Sequence, residues 1–247
     1  FIQILKGINI MFSKINRIAR SIISLNRKIE FKTIVGMLNL NKEDILLDVG
    51  SGDGFWTNKF SKYTNDVTGV DPTKDLLNLS IKHYAKKNLK FVYGTAEDLP
   101  FDDSSFDKVA SVSTVEHFNN PETGLSEMIR VLKKNGILSI SVDSLNELNS
   151  KKHLMDWHSK KHFVTRYFNL EEIISILEKN GLRVYKDEIK GVFHSRLSAY
   201  LRFIYIKNPK LLLPFFPIIY FFCRVSDMFL VGGEINSQIL IIKAEKI

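Results

Sequence analysis

Cysteine is nearly missing from this sequence. Cys223 is the only one in 247 residues, which excludes a disulfide framework, a cysteine-built zinc site and iron–sulfur chemistry, and fits a reducing compartment. Prolines are also few, and the first is Pro72, so no proline interrupts helix before that point. Long hydrophobic runs are absent. The uncharged stretch Leu211–Cys223 has thirteen residues and is interrupted by Pro214 and Pro217, whereas a membrane-spanning helix needs about 18–20. There is no internal repeat and no low-complexity tract. With 45% hydrophobic and 25% charged residues, the composition excludes disorder, collagen-like repeats and a polytopic membrane protein.

The charge is unevenly placed. Of the net +8, residues 1–40 hold seven Lys/Arg against the single acid Glu30, while the rest of the chain holds 28 basic and 26 acidic side chains. The body is nearly neutral, which argues against a uniformly basic nucleic-acid-binding surface. Ile8, Met11, Phe12, Ile15, Ile18, Ala19, Ile22 and Leu25 recur at helical spacing, with Lys14, Arg17 and Arg20 on the other side. The segment 1–29 is therefore expected to be a basic amphipathic helix, either lying on an anionic membrane surface or packed on the domain formed by residues 30–247. Its arginines interrupt the apolar pattern and no small-residue cleavage site closes it, so no secretory signal is expected and the chain is assigned to the cytoplasm.

From residue 45 onward short apolar runs alternate with helical stretches, the rhythm of a parallel sheet with crossover helices. Strands are expected near Ile45–Val49, Asp66–Val70, Lys90–Val92, Lys108–Ser113, Ile137–Val142, Leu182–Ile189 and Gln238–Glu245. Helices are expected near Phe55–Lys62, Lys74–Lys86, Pro121–Lys134 and Leu170–Lys179. Asn120 and Pro121 suit the start of the third helix and Gly136 its stop, while Asn169 and Gly181 bracket the fourth. Residues 193–233 read as an insertion before the last strand. They are expected to form either a buried or substrate-covering helical unit or a segment dipping into one leaflet.

The chemical signal is Ile45-Leu-Leu-Asp48-Val-Gly50-Ser51-Gly52-Asp-Gly54-Phe55, a strand entering a glycine-rich turn and then a helix. Glycines let backbone pass close under a ligand, and the following helix start offers free N–H groups. The dinucleotide fingerprint G-x-G-x-x-G would want glycine where Phe55 stands, which disfavours a nucleotide-dependent oxidoreductase. Asp71 ends the next strand, 23 residues after Asp48, where a carboxylate can accept both hydroxyls of a ribose.

With these elements the sequence resembles the class I S-adenosylmethionine-dependent methyltransferases. The resemblance covers roughly residues 30–189 plus the last strand. It rests on Asp48–Gly54, Val70-Asp71, Gly94-Thr95-Ala96-Glu97-Asp98-Leu99-Pro100-Phe101, Phe106-Asp107, Arg130–Gly136 and the ending Gln238–Lys246. It implies an α/β fold, a Rossmann-like doubly wound sheet of seven strands with the last antiparallel, and S-adenosyl-L-methionine as cofactor. It also implies roles. The Gly50-Ser51-Gly52-Asp53-Gly54 backbone would pass under the methionine portion, and Asp48 would meet its amino group directly or through water. Asp71 would hold the ribose, Thr95 and Ala96 would follow the adenine edge, and the backbone near Ser113 would close over the methionine part. Thr95 departs from the aspartate common at that position, which shifts adenine contact to backbone or Glu97.

An activated sulfonium leaves the protein mainly an alignment task, with a general base needed when the acceptor must lose a proton. His117, in Glu116-His117 after the fourth strand, and His162, in the loop expected before the Leu170 helix together with His158, are the base candidates. Similar quinone-type O-methyltransferases carry an acid three residues before the Glu-His pair. Here that residue is Ser113, so no metal is expected. The Asn/Asp-Pro-Pro-aromatic motif of nucleic-acid amino-methylating enzymes is absent. The expected acceptor is a small, amphipathic or lipid-linked molecule, with peripheral membrane contact and no nucleic acid. The competing reading is a cofactor-binding module without catalysis.

Overall fold

A computed structural model describes residues 26–144, 152–193, 195–229 and 237–247. The basic segment at residues 8–25 lies outside the described residues. The first described helix, α1 (Arg27–Leu38), runs across the 29/30 boundary and presents Phe31, Ile34, Met37 and Leu38 inward.

The alternation of β1 (Ile45–Val49), α2 (Phe55–Phe60), β2 (Asp66–Asp71), α3 (Lys74–Tyr84), β3 (Leu89–Tyr93), β4 (Phe106–Val112), α4 (Pro121–Val131) and β5 (Leu132–Asp143) builds a parallel sheet. The strand order is β3-β2-β1-β4-β5, continued by β8 (Ile239–Lys246), which runs antiparallel to β5. The order reverses beside β1, between β1 and β4. In open sheets such a reversal leaves a crevice at the strands' carboxyl ends where ligands bind. One apolar layer, including Leu125 and Met128 of α4 and Ile173 of α6 (Leu170–Lys179), covers one face of the sheet, and a second, including Ile34, Phe60 and Cys223, covers the other.

Two expected elements change shape. Of the stretch expected as one strand at Leu182–Ile189, only β6 (Leu182–Val184) is strand; a 3-10 turn at Lys186–Glu188 takes up the rest, and a second short strand, β7 (Lys190–Val192), begins just past it. Among the described residues the sheet therefore has eight strands rather than seven. Both short strands pair with the same edge of β8, with register slipping by three residues between them. The turn is fastened to β8 by Lys243, whose Nζ donates to Glu188 Oε2 at 2.9 Å. The helix expected to reach Lys134 ends at Val131, because Leu132 pairs with Phe106 on β4. Gly136 is consequently inside β5 rather than after a helix. A Cβ there would stand 2.9 Å from the Asp107 carbonyl oxygen.

The region before β8 holds α7 (Arg196–Lys207), α8 (Pro209–Leu212) and α9 (Phe216–Phe229). Helical spacing divides its uncharged run into two apolar sides. Leu212, Phe216, Ile219, Tyr220 and Cys223 pack against the core, while Leu211, Phe215, Ile218, Phe221 and Phe222 are exposed. Among the described residues no helix is long and apolar enough to cross a membrane.

Helix α1 owes its place to apolar burial, so Ile34→Ala is expected to destabilise the fold by about 2–5 kcal/mol. A drop in the urea midpoint at unchanged slope is the check, with the half-buried Val35→Ala expected to cost less.

Candidate active site

The glycine-rich turn after β1 is held by the strand beside it. The Gly50 and Ser51 N–H groups donate to the Val70 carbonyl at 2.9 and 3.0 Å, and the Gly52 N–H donates to Asp71 Oδ2 at 2.8 Å. Gly50, Gly52 and Gly54 have φ of +81°, +54° and +78°, a region that costs L-residues with a Cβ. At Gly50 space forbids a side chain as well, since a Cβ would lie 2.1 Å from Thr114 Cγ2.

Gly50, Asp71, Thr95 and Ala96 line a cleft of about 280 Å3 at the carboxyl ends of the central strands, with Pro72, Thr114, His117 and Phe118 among its walls. Asp71 is oriented before any ligand arrives, as its other oxygen, Oδ1, accepts the Thr73 N–H at 2.8 Å. Each carboxylate oxygen keeps a second lone pair for a hydroxyl. Glu97 is tied by the Asn120 N–H at 3.1 Å. A glycine cradle, a buried carboxylate and apolar walls at Ala96 and Phe118 fit a nucleoside with a short amino-acid tail.

The remaining nominated positions sit elsewhere. Ser51, Gly52 and Gly54 shape the turn without appearing among the cleft walls, and so does Asp48 below it. The buried Asp48 carboxyl accepts the Thr57 hydroxyl at 2.6 Å. Burial, opposed by that hydrogen bond and reinforced by Asp71, raises its pKa to about 6. Ser113, with φ +44°, donates its hydroxyl to Glu30 of α1 and lines a second pocket.

That second pocket, about 210 Å3, is lined by Arg27, Glu116, Asp143, His158, His162 and Arg202, among others, and shares His117 with the cleft. His158 and His162 are not in a loop as expected. They lie one turn apart on α5 (Lys152–His162), with ring centroids 4.6 Å apart. His158 is buried and bonded through Nδ1 to the Tyr167 hydroxyl at 2.9 Å. Burial, aided by the Arg202 charge, lowers its pKa to about 3, so it stays neutral. Burial and Lys161 also lower the pKa of His162, and its Nε2 has no hydrogen-bond partner. His117 Nδ1 lies 3.1 Å from the Phe163 carbonyl oxygen. The sequence reading did not nominate Arg27, Glu116, Asp143 or Arg202, which reach this pocket from four separate parts of the chain. Among the described residues, no three His, Cys, Asp or Glu side chains are grouped to hold a metal ion.

Residues 47–140 match the model of a family described as a methyltransferase domain. An uncharacterized methyltransferase of Bacillus subtilis is 32% identical over 130 residues, 46% of this chain and 51% of the relative. The crystal structure of the YcgJ protein from the same species superposes with a TM-score of 0.64 at 22% identity, covering 89% of this chain and 98% of the other. Residues 47–140 are a class I methyltransferase domain. The cofactor of this domain class is S-adenosylmethionine. A demethylmenaquinone methyltransferase of Staphylococcus aureus is likewise 32% identical to this chain, over 55% of it and 57% of the relative. The chain thus spans about half the length of the curated relatives it matches. Around the methyltransferase domain the likeness extends in fold to a geranyl diphosphate C-methyltransferase from Streptomyces coelicolor, solved with S-adenosyl-L-homocysteine. That comparison has a TM-score of 0.68 at 14% identity, over 90% of this chain and 78% of the other.

The raised Asp48 pKa has a consequence for stability. The folded state holds this proton more tightly than the unfolded chain, so the contribution is present below pH 4 and is lost as pH rises through about 6. Asp48→Asn is expected to remove a penalty of up to about 3 kcal/mol at pH 8 and little at pH 4. Urea unfolding of both proteins at the two pH values checks this.

Proposed function

We propose that this chain transfers a methyl group from S-adenosylmethionine to a small, amphipathic or lipid-linked acceptor, working at a membrane surface without spanning it. The observation that carries this reading is the adjacency of two pockets through one residue. His117 lines both the glycine-cradled cleft and the polar pocket behind it, so a cofactor in the first would face an acceptor in the second.

In this reading the Gly50–Gly54 backbone lies beneath the methionine portion, Asp71 takes the ribose hydroxyls, and Thr95 and Ala96 border the adenine. Asp48 supports the turn from below and meets the amino group directly or through water, while Ser113 fixes α1 against the pocket through Glu30. Bound S-adenosylmethionine supplies a methyl group already activated on a sulfonium. The chain's own contribution is alignment and exclusion of water. His117 stands where the two pockets meet. His162, kept neutral by burial and Lys161, is available as a hydrogen-bond acceptor.

The amphipathic acceptor is supported by the outer side of α9 and the turn before it. Phe215, Ile218, Phe221 and Phe222 are exposed together, with Arg224 exposed beside them, and aromatic residues flanked by cations suit an anionic lipid interface. The basic pattern of residues 8–25 has the same chemistry.

Incubation with methyl-labelled cofactor and a fractionated extract tests the reading, with label expected in the lipid fraction. Label in nucleic acid alone would overturn the acceptor class, and cofactor binding without any transfer would leave an interaction module. Asp71→Asn is expected to raise the dissociation constant for S-adenosylhomocysteine by about tenfold or more, as a charge-assisted hydrogen bond is weakened. Flotation with anionic liposomes at low salt should carry the protein upward, and Phe221→Ser with Phe222→Ser should leave it at the bottom.

A further inference from the structure

The polar pocket contains a carboxyl group that the fold leaves without a partner. Glu116 lies on the 3-10 turn Val115–His117 after β4, and its main-chain carbonyl is well satisfied, accepting the Thr165 N–H at 2.8 Å and the Thr165 hydroxyl at 2.9 Å. The side chain is the opposite case. The residue is 1% exposed, and neither carboxyl oxygen makes a hydrogen bond. Burying a polar group this way costs about 1–3 kcal/mol, a cost a ligand bonding to it would relieve.

The neighbours are mostly committed elsewhere. From α1, Arg27 donates to the Val112 carbonyl at 2.6 Å, and Glu30 accepts the hydroxyls of Ser113 and Ser141. At the end of β5, Asp143 faces Arg202 Nη2 at 3.3 Å and His158 Nε2 at 3.8 Å. Two further buried polar atoms of residues that line the pocket have no hydrogen-bond partner: Arg202 Nε from α7 and His162 Nε2 from α5. The unmet groups are thus a carboxyl, an imidazole nitrogen and a guanidinium N–H that can only donate.

A hydroxyl group answers this set. Its O–H donates to the carboxyl while its oxygen accepts from Arg202. An ammonium group could not accept from Arg202 and would face the guanidinium charges of Arg27 and Arg202. Resting on the methyl-transfer reading above, we propose that this pocket is the acceptor subsite, that it takes a hydroxyl-bearing head group, and that Glu116 is the catalytic residue that removes the hydroxyl proton. In the step, the acceptor oxygen bonds to the methyl carbon as the carbon–sulfur bond breaks and its electron pair stays on sulfur. The O–H bond breaks with its proton passing to the Glu116 carboxylate. The sulfonium charge is thereby neutralised and the carboxyl becomes the neutral acid.

Burial first, then Asp143, and more weakly Glu30, raise the Glu116 pKa well above the ordinary carboxylate value, against the opposing pull of its own backbone N–H and of Arg27. His117, His158, His162, Tyr167 and Arg202 are the other titratable and charged groups around it. Transfer should therefore increase with pH as Glu116 ionises.

The test uses the full chain with S-adenosylhomocysteine, p-cresol as the hydroxyl probe and benzylamine as the amine probe. Without ligand, infrared spectra should show the carbonyl band of a buried, unbonded carboxylic acid, missing in Glu116→Gln. Adding p-cresol should shift that band and benzylamine should not. Calorimetry should show p-cresol binding weakened at least tenfold in Glu116→Ala but within threefold of the wild type in Glu116→Gln, both variants binding S-adenosylhomocysteine normally. Transfer of labelled methyl to the lipid extract should fall about 100-fold or more in Glu116→Gln. An unmoved band, tighter binding of benzylamine, or equal transfer in Glu116→Gln would overturn the proposal while leaving the cofactor reading intact. Absence of S-adenosylhomocysteine binding by the wild type would overturn both.

Discussion

The site depends on one short set of hydrogen bonds donated by the backbone of the turn after β1 to the end of the neighbouring parallel strand. The Val70 carbonyl at the end of β2 accepts N–H groups from both Gly50 and Ser51, and Asp71 accepts the next available one from Gly52. These bonds bend the chain leaving β1 into three left-handed glycines and bring it over the end of β2. The two ends are thus fixed relative to each other before a ligand binds. A side chain at Gly50 would displace Thr114, and Thr114 also belongs to the cleft wall. Loop shape, ribose-facing carboxylate and the start of the β4 turn are therefore one mechanical unit.

The features legible in the sequence are those whose cause is local. Gly50, Gly52 and Gly54 announce left-handed backbone at their own positions, and Asp71 ends an apolar run, so their convergence with Thr95 and Ala96 on one cleft follows from strand order alone. The end of α4 was hidden because its cause is distant. Gly136 resembles a helix stop, but pairing of Leu132 with Phe106 decides the boundary. Leu182–Ile189 has the alternation of one strand, but pairing with β8 stops at Val184 and resumes, offset, only at Lys190. The polar pocket was the least legible of all. Arg27, Glu116, Asp143 and Arg202 share no spacing, and of the four only Glu116 belongs to a noted motif, the Glu116-His117 pair in which the histidine drew attention.

The two pockets also differ in how they treat charge. In the cleft Asp71 is a buried carboxylate ordered by backbone N–H groups and set in the wall. In the pocket, ions are mostly paired off within the wall: Arg27 lies 3.6 Å from Glu30 and Arg202 lies 3.3 Å from Asp143. Such pairs add little net stability against an apolar alternative. Their retention here alongside an unpaired carboxyl and two neutral imidazoles places several unmet polar atoms where burial strengthens each hydrogen bond a ligand makes.

The divided strand beside β8 has an effect beyond topology. A sheet edge offers a row of unpaired N–H and C=O groups on which another chain can add itself, and long flat edges invite aggregation. Here that edge is finished by β6 and β7, each three residues long and out of register with each other. A passing strand would find no continuous ladder to extend. The turn at Lys186–Glu188, which adds a strand to the expected count, thereby leaves this edge without a continuous ladder for another copy to extend.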